Sequence, residues 1–386
     1  MKIIVDENIP YGKEAFSTLG DVMTMPGRAI TPAAVRDADA LVVRSITKVD
    51  GELLERSRVR FVATATIGFD HVDVNYLERR AIGFASAPGS NANSVAEYVV
   101  AALLVLAQRK GWTLERRTLG VIGVGNVGSR VVAKAEALGL KVLQNDPPLA
   151  RQTGEARFRP IEELLGADIL SLHVPLTLGG EDRTFHMIDE PFLARLKKGA
   201  TLLNTSRGPV VDGSALLNAI DARWLGGAVL DVWEREPDIS TELLERVDLG
   251  TSHIAGYSFD GKVAGTLMVY RAACKFFRGE ATWRPEQCLP PPKLPLLDVH
   301  AHGRSEEGAL LDAVKAVYDV EADDAALREL ITLPAEHRGP HFDQLRKTYP
   351  TRREFFNTEV HLVHGSDALM RKLEGVGFRV RAGHPG

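Results

Sequence analysis

Short apolar runs separated by amphipathic segments fill the first ninety residues. KIIVDE, DVMTM, ALVVRS, VRFVATAT and IGFASA carry β-branched and aromatic side chains in runs of strand length. Between them, YGKEAFSTL, TPAAVRDA and DVNYLERRA space their apolar positions along one helical face. Thr31 followed by Pro32 reads as an N-cap with proline at the first helical position. Strands that alternate with helices predict a parallel sheet covered by those helices.

Residues 94–109 are apolar almost all round, which predicts a buried helix rather than a surface one. A second alternating series follows in TLGVIGVG, KVLQND, ADILSLHVP, ATLLNTS, GGAVLDVW and LGTSHIAG, and closes near residue 256. Another long helix is expected over 258–277. Two long helices bracketing a complete series predict an insertion. A nucleotide-binding domain over 94–257 interrupts a first domain of 1–93 that resumes at 258–288. The proline-rich LPPPKLPLLD at 289–298 predicts a linker, because its rings restrict the backbone. Beyond it, EEGALLDAVKAVYDV and DDAALRELI predict helices, and GFRVRA predicts a closing strand. The basic run from Arg346 and Lys347 to Arg352 and Arg353 reads as a solvated face, with an anion-binding patch as the alternative. The fold class expected is therefore α/β: two Rossmann-like parallel-sheet domains, the second inserted in the first, plus a small C-terminal α+β domain over 289–386.

Composition narrows the partners. A net charge of -4 leaves no basic footprint for nucleic acid or an anionic membrane. The longest clean apolar run, Tyr98 to Ala107, is about half a membrane span. The start MKIIVDEN has no apolar signal core. The two cysteines, Cys274 and Cys288, lack metal or redox spacing, so a reducing compartment, the cytoplasm, is expected. His300 with His302, and His361 with His364, have no matching cysteine or carboxylate cluster, and no metal is expected.

Candidate chemistry begins at Gly123-x-Gly125-x-x-Gly128, set between the strand TLGVI and the helix NVGSRVVAKAEALG. The first glycine makes the tight turn, the second lets backbone approach a pyrophosphate, and the third lets helix and strand pack closely. KVLQND ends at Asp146, eighteen residues past Gly128, where a carboxylate accepts from ribose hydroxyls and repels a 2′-phosphate. The cofactor expected is NAD.

Three later segments end strands of the same sheet: NTSRGPVVD, LDVWEREP and TSHIAGYS. They supply Arg207, Asp231, Glu236 and His253. Oxidising a 2-hydroxy acid needs a cation for the carboxylate, a base for the hydroxyl proton and an acid to orient that base. Arg207 suits the first role through its bidentate guanidinium. His253 suits the second by its ordinary pKa, and Glu236 the third by holding the imidazole.

The series GxGxxG, HVPLT, NTSRGPVVD, DVWEREP and SHIAG resembles the D-isomer-specific 2-hydroxyacid dehydrogenase family, across residues 1 to about 285. The resemblance implies a catalytic triad of Arg207, Glu236 and His253. It places Gly123, Gly125, Asn126, Val127, Gly128, Asp146, Val174, Pro175, Ser206, Arg207, Gly208, Asp231 and Gly256 around the cofactor. IIVDENIPY, VVRSIT, TATIGFDHVD and the C-terminal extension resemble a branch acting on a small phosphorylated hydroxy acid. By that resemblance Ser45, Thr66 and Tyr257 meet the substrate, and the chain is a homodimer; a distant phosphate needs cations, and Arg44 and the basic run near Arg346 are the candidates. The extension is expected to be the dimerisation domain, with Leu310, Leu311, Val314 and Val317 as its apolar face. Two alternatives stay open: a sister enzyme acting on phosphoglycerate or glyoxylate, and an NAD-sensing binding protein on the same fold.

Overall fold

Alternation along β1 (Lys2–Asp6) sends Ile3 and Val5 to one side of a sheet and Ile4 to the other, and all three are buried. A strand covered on both faces requires helices above and below it. The computed structural model describes residues 1–382, except the side chain of Gln287. It divides into two units: Met1–Ala92 with Tyr257–Pro291, and Asn93–Gly256 with Pro292–Gly386.

In the first unit, β1 joins β2 (Asp21–Met25), β3 (Ala40–Val43), β4 (Phe61–Thr64) and β5 (Gly83–Ala85) in a parallel sheet ordered β2-β1-β3-β4-β5. Thr31 caps its helix by accepting from the Ala34 amide, with Pro32 at the first turn. The return helix Phe259–Phe277 covers one face with Val263, Val269, Tyr270 and Ala273, and its N-cap is Ser258. Leu41, Leu53, Leu54 and Leu77 fill the other face.

The second unit holds β6 (Thr118–Ile122), β7 (Lys141–Asn145), β8 (Ile169–Leu172), β9 (Thr201–Asn204), β10 (Gly227–Leu230) and β11 (Leu249–Gly250). These form a parallel sheet ordered β11-β10-β9-β8-β6-β7. β8, β9 and β10 are buried throughout, as parallel strands between helical layers must be. The strand order reverses at β6 and β8, and open α/β sheets bind ligands outside the carboxyl ends of strands at such a point.

Leu327, Leu330 and Phe342 of the C-terminal segment enter the same apolar core as Leu230, Trp233 and Leu244. The segment departs from expectation in three ways. The linker expected over 289–298 ends early, since β12 (Leu296–His300) pairs with β13 (Glu359–Val363), and β13 with β14 (Arg379–Ala382). Clustered prolines masked the strand that starts just after Pro295. The basic run is solvated only in part: Lys347 is exposed and Arg346 half-buried, but Arg352 and Arg353 are only 6% and 8% exposed. Leu310, Leu311 and Val314, offered as a dimerisation face, are buried within their own chain. The last four residues of the domain expected over 289–386 lie outside the described residues.

The helix Ala92–Lys110 is buried along most of its length, with a carboxylate inside it. Glu97 Oε1 accepts from the Phe355 amide at 2.9 Å and from Asn93 Nδ2 at 3.0 Å. The same Asn93 Nδ2 donates to Glu354 Oε2 at 2.6 Å, and Ser94 Oγ donates to Glu354 Oε1 at 2.8 Å. Burial first, and the neighbouring Glu354 second, push the Glu97 pKa up to about 8, against the smaller pull of Lys134 and Arg352. The folded state therefore holds a proton that the unfolded chain releases near the ordinary carboxylate value of 4.5. This contribution to stability is present below that value and is lost as pH rises through about 8. Thermal melts should show Tm falling across that window. Glu97→Gln, which keeps the shape of the protonated acid, should flatten the fall by roughly a few degrees. An unchanged slope in the variant would place the proton elsewhere.

Candidate active site

The loop between β6 and the helix Asn126–Ala137 shows three different demands on its glycines. Gly123 turns the chain at φ 83°, in the left-handed region that favours glycine. A side chain at Gly128 would meet the Gly123 carbonyl oxygen at 1.9 Å, so the helix packs there directly against the backbone of the turn that ends β6. A side chain at Gly125 would meet nothing within 4 Å. Among the described residues, the space above Gly125 is open and no side chain caps the helix N-terminus that begins there. Open space over uncapped N–H groups fits a pyrophosphate. Asn126 and Val127 form the first turn.

Asp146 follows β7. Its Oδ2 accepts from the Val124 amide at 2.8 Å, and its Oδ1 accepts from the Leu149 amide at 3.0 Å while capping the helix Pro147–Thr153. The carboxylate is thereby fixed beside the glycine turn, with lone pairs remaining on both oxygens. Val174 and Pro175 follow β8 after His173, whose carbonyl lies under Gly123. Burial pushes the His173 pKa down to about 3, so the ring is neutral between Ser171 Oγ at 2.9 Å and Thr205 Oγ1 at 3.2 Å.

β9 ends in a hydrogen-bonded turn that presents Arg207. Asn204 Oδ1 accepts from the Ser206 amide and hydroxyl, and Asn204 Nδ2 donates to the Arg207 carbonyl at 3.0 Å. The Arg207 guanidinium donates to the Ser206 carbonyl at 2.8 Å. Gly208 packs so tightly that a side chain there would meet the Trp233 carbonyl oxygen at 1.9 Å. That approach brings the Arg207 turn onto the segment leading to Glu236.

Glu236 uses both carboxylate oxygens. Oε1 accepts from the Trp233 amide at 2.8 Å, and Oε2 meets His253 Nδ1 at 2.7 Å. Burial alone would raise its pKa. The charge and hydrogen bond of His253, the Trp233 amide and the charge of Arg346 outweigh burial and hold it below its ordinary value. Glu236 is therefore an ionised acceptor, and His253 donates to it from Nδ1.

Asp231 is 1% exposed, at the end of β10. Its Oδ1 accepts from Thr251 Oγ1 at 2.7 Å and the Ile254 amide at 2.8 Å, and its Oδ2 from the Ala255 amide at 3.0 Å. The carboxylate is thus the organiser of the loop that carries His253 and Gly256. His253 itself sits at φ 57°, a conformation costing a non-glycine residue about 1–3 kcal/mol.

Arg44, Ser45, Thr66 and Tyr257 belong to the first unit. Arg44 and Ser45 follow β3, and Arg44 donates to the Asn8 carbonyl at 3.3 Å. Thr66 follows β4, where its Oγ1 meets Thr64 Oγ1 at 2.6 Å and donates to the Gly68 carbonyl at 2.9 Å. The Tyr257 ring lies under Lys262 Nζ at 4.5 Å. Sequence reasoning missed the contributions of the C-terminal segment: Arg346 acting on Glu236, and Asp324, Arg328 and Arg352 beneath the catalytic loop. The only signal was charge in an otherwise ordinary tail.

A glycine turn on a parallel sheet, with a carboxylate-oriented histidine and an arginine at neighbouring strand ends, defines a nicotinamide-dependent dehydrogenase of 2-hydroxy acids. Residues 96–255 match the NAD-binding domain of D-isomer specific 2-hydroxyacid dehydrogenases, and residues 288–377 match a domain of unknown function. An erythronate-4-phosphate dehydrogenase of Cronobacter sakazakii is 47% identical over 98% of both chains. One from Citrobacter koseri is 47% identical over 97% of both. Among solved structures, a D-lactate dehydrogenase from Aquifex aeolicus, complexed with NAD and lactic acid, is 28% identical with a TM-score of 0.58, covering 72% of this chain and 95% of its own. A protein from Thermus thermophilus is 26% identical with a TM-score of 0.62, covering 73% and 99%. The chain belongs to the D-isomer specific 2-hydroxyacid dehydrogenase family, among its erythronate-4-phosphate dehydrogenases. It is an oxidoreductase, and its cofactor is NAD.

The glycine geometry separates folding from cofactor binding. Gly128→Ala should lower stability by about 1–3 kcal/mol and weaken NADH, because helix and strand must part. Gly125→Val should leave the melting temperature nearly unchanged, since its side chain enters open space, yet weaken NADH if the pyrophosphate takes that space. Melts paired with NADH fluorescence titration check both, and equal loss of stability in the two variants would contradict the assignment.

Proposed function

We propose that the chain oxidises 4-phospho-D-erythronate to 3-hydroxy-2-oxo-4-phosphooxybutanoate, reducing NAD, as a step of pyridoxal 5′-phosphate biosynthesis. The observation that carries this reading is the 2.7 Å contact between His253 Nδ1 and ionised Glu236, beside the Arg207 turn. The names of relatives at 47% identity support the choice of acid.

Arg207 binds the substrate carboxylate through its guanidinium. His253 Nε2 takes the proton of the 2-hydroxyl, and Glu236 stabilises the imidazolium that results. NAD, when bound, supplies the acceptor for the hydride that leaves C2. Gly123, Gly125, Asn126, Val127 and Gly128 hold its pyrophosphate side, and Asp146 its adenosine ribose. Val174, Pro175, Ser206, Gly208, Asp231 and Gly256 shape the remaining cofactor surface, Asp231 through the loop it organises. Ser45, Thr66 and Tyr257 contact the substrate, with Arg44 and Arg346 as the cations for its terminal phosphate.

NADH formation measured over a panel of 2-hydroxy acids, with and without a terminal phosphate, tests this reading. Catalytic efficiency should be highest with 4-phosphoerythronate and should collapse with NADP, because Asp146 repels a 2′-phosphate. His253→Ala should cut turnover by roughly a hundredfold or more with NAD binding retained. Preference for an unphosphorylated acid, or near-normal turnover without His253, would overturn it.

The chain acts as a homodimer in this reading, through its C-terminal sheet rather than through the buried leucines of the helix Glu306–Val317. Parallel sheets are ordinarily covered on both faces. Here Leu296, Asp298 and His300 of β12, and Arg379 and Arg381 of β14, are exposed. Sedimentation should show a dimer at micromolar concentration, and Leu296→Glu should shift it towards monomer. A monomeric wild type would refute this part of the proposal.

A further inference from the structure

The loop 251–256 is gripped from two sides. From the end of β10, Asp231 accepts the amides of Ile254 and Ala255. From the C-terminal segment, Arg352 Nη2 donates to the Ala255 carbonyl at 2.7 Å and to the Ser94 carbonyl at 3.0 Å. Both faces of Ala255 are thus bonded to charged groups, two residues from His253. Ala255 is 1% exposed, so no water replaces either bond.

Arg352 is itself held in place. Its guanidinium lies over the Tyr318 ring, 4.2 Å from the centroid. Tyr318 and Tyr349 both donate to Asp323 Oδ2, at 3.1 and 2.9 Å. Tyr98 Oη meets Thr251 Oγ1 at 2.9 Å, and that hydroxyl donates in turn to Asp231. One residue further back, Asp324 Oδ1 accepts from the Gly250 amide at 2.7 Å, and Arg328 donates to the carbonyls of Leu244 and Val247. The C-terminal segment therefore supports β11 and the catalytic loop through charged groups as well as apolar packing.

We infer that Arg352 is a positioning residue for hydride transfer: by fixing the Ala255 carbonyl it keeps the strained His253 backbone in register with Glu236. The C-terminal segment is then part of the catalytic machinery of its own chain, whatever its role between chains. The physical reason is the left-handed His253 backbone. A strained conformation persists only where its surroundings over-determine it. Removing Arg352 leaves a buried carbonyl unsatisfied and frees the loop to relax, which moves the imidazole away from Glu236. A displacement of that kind, far from the reacting atoms, costs up to about a hundredfold in rate.

The inference rests on His253 as the base, and the test separates the two claims. Full-length wild type, R352M, R352K and H253A are compared, with rates counted per NADH-binding site measured by fluorescence. R352M should lose roughly tenfold to a hundredfold in kcat with KM for NAD changed less than about twofold. Its kcat/KM profile against pH should differ from that of wild type, because the imidazole leaves its contact with Glu236. R352K, which keeps one donor for the Ala255 carbonyl, should recover much of the loss, and it provides the measurement if R352M does not fold. Wild-type kcat per binding site and an unmoved pH profile in R352M would overturn the inference, as would a loss explained wholly by fewer binding sites. If R352M folds poorly, an R352K with wild-type kcat and profile supports the inference, and one as impaired as H253A with an unmoved profile overturns it. Activity retained in H253A would instead overturn the assignment of the base.

Discussion

The buried carboxylate of Asp231 is the contact on which the catalytic geometry depends. It stands at the end of β10 with almost no exposure, and it collects a hydroxyl and two amides from the loop 251–255. A buried carboxylate is costly unless its lone pairs are filled, and here the loop fills them. The loop gains a single conformation in return, including the left-handed turn at His253. Without that turn the 2.7 Å contact with Glu236 has no fixed geometry.

The rest of the site is a series of close backbone approaches that carry this constraint outward. Gly208 lies against Trp233, whose amide holds Glu236 and whose indole donates to the Thr251 carbonyl at 2.8 Å. Three strand ends, β9, β10 and β11, are thereby tied into one piece. Arg207, Glu236 and His253 lie in the loops that follow those ends, so sheet register sets where each loop begins. On the far side of β8, the Gly123 turn and Asp146 are locked by backbone amides in the same way.

The C-terminal segment is where a reading by composition misleads most. Its charges look like those of a solvated tail, yet Arg352, Arg353 and Glu354 are buried, Arg352 and Glu354 against the start of the helix Ala92–Lys110. Such burial is tolerable only because each charge meets a fixed partner or a carbonyl. The pressed carboxylates Glu97 and Glu354 share Asn93, and burial with mutual repulsion keeps a proton on Glu97 up to about pH 8. Apolar side chains from the same segment complete the core around Leu230 and Trp233.

The sequence by itself determined the two parallel sheets and the glycine turn, and it singled out Arg207, Glu236 and His253 as candidates. Those features are local: strand runs, caps and glycine spacing depend on neighbours in the chain, and each motif sits next to the strand that presents it. Even the Thr31 cap was legible for that reason. Only the tertiary structure decided that Asp231 serves the loop, that Arg352 reaches Ala255 across ninety-seven positions, and that β12 forms beside the prolines. A charged residue reads the same in sequence whether water or a distant carbonyl satisfies it. That partner is chosen by packing, and packing is set by the whole chain.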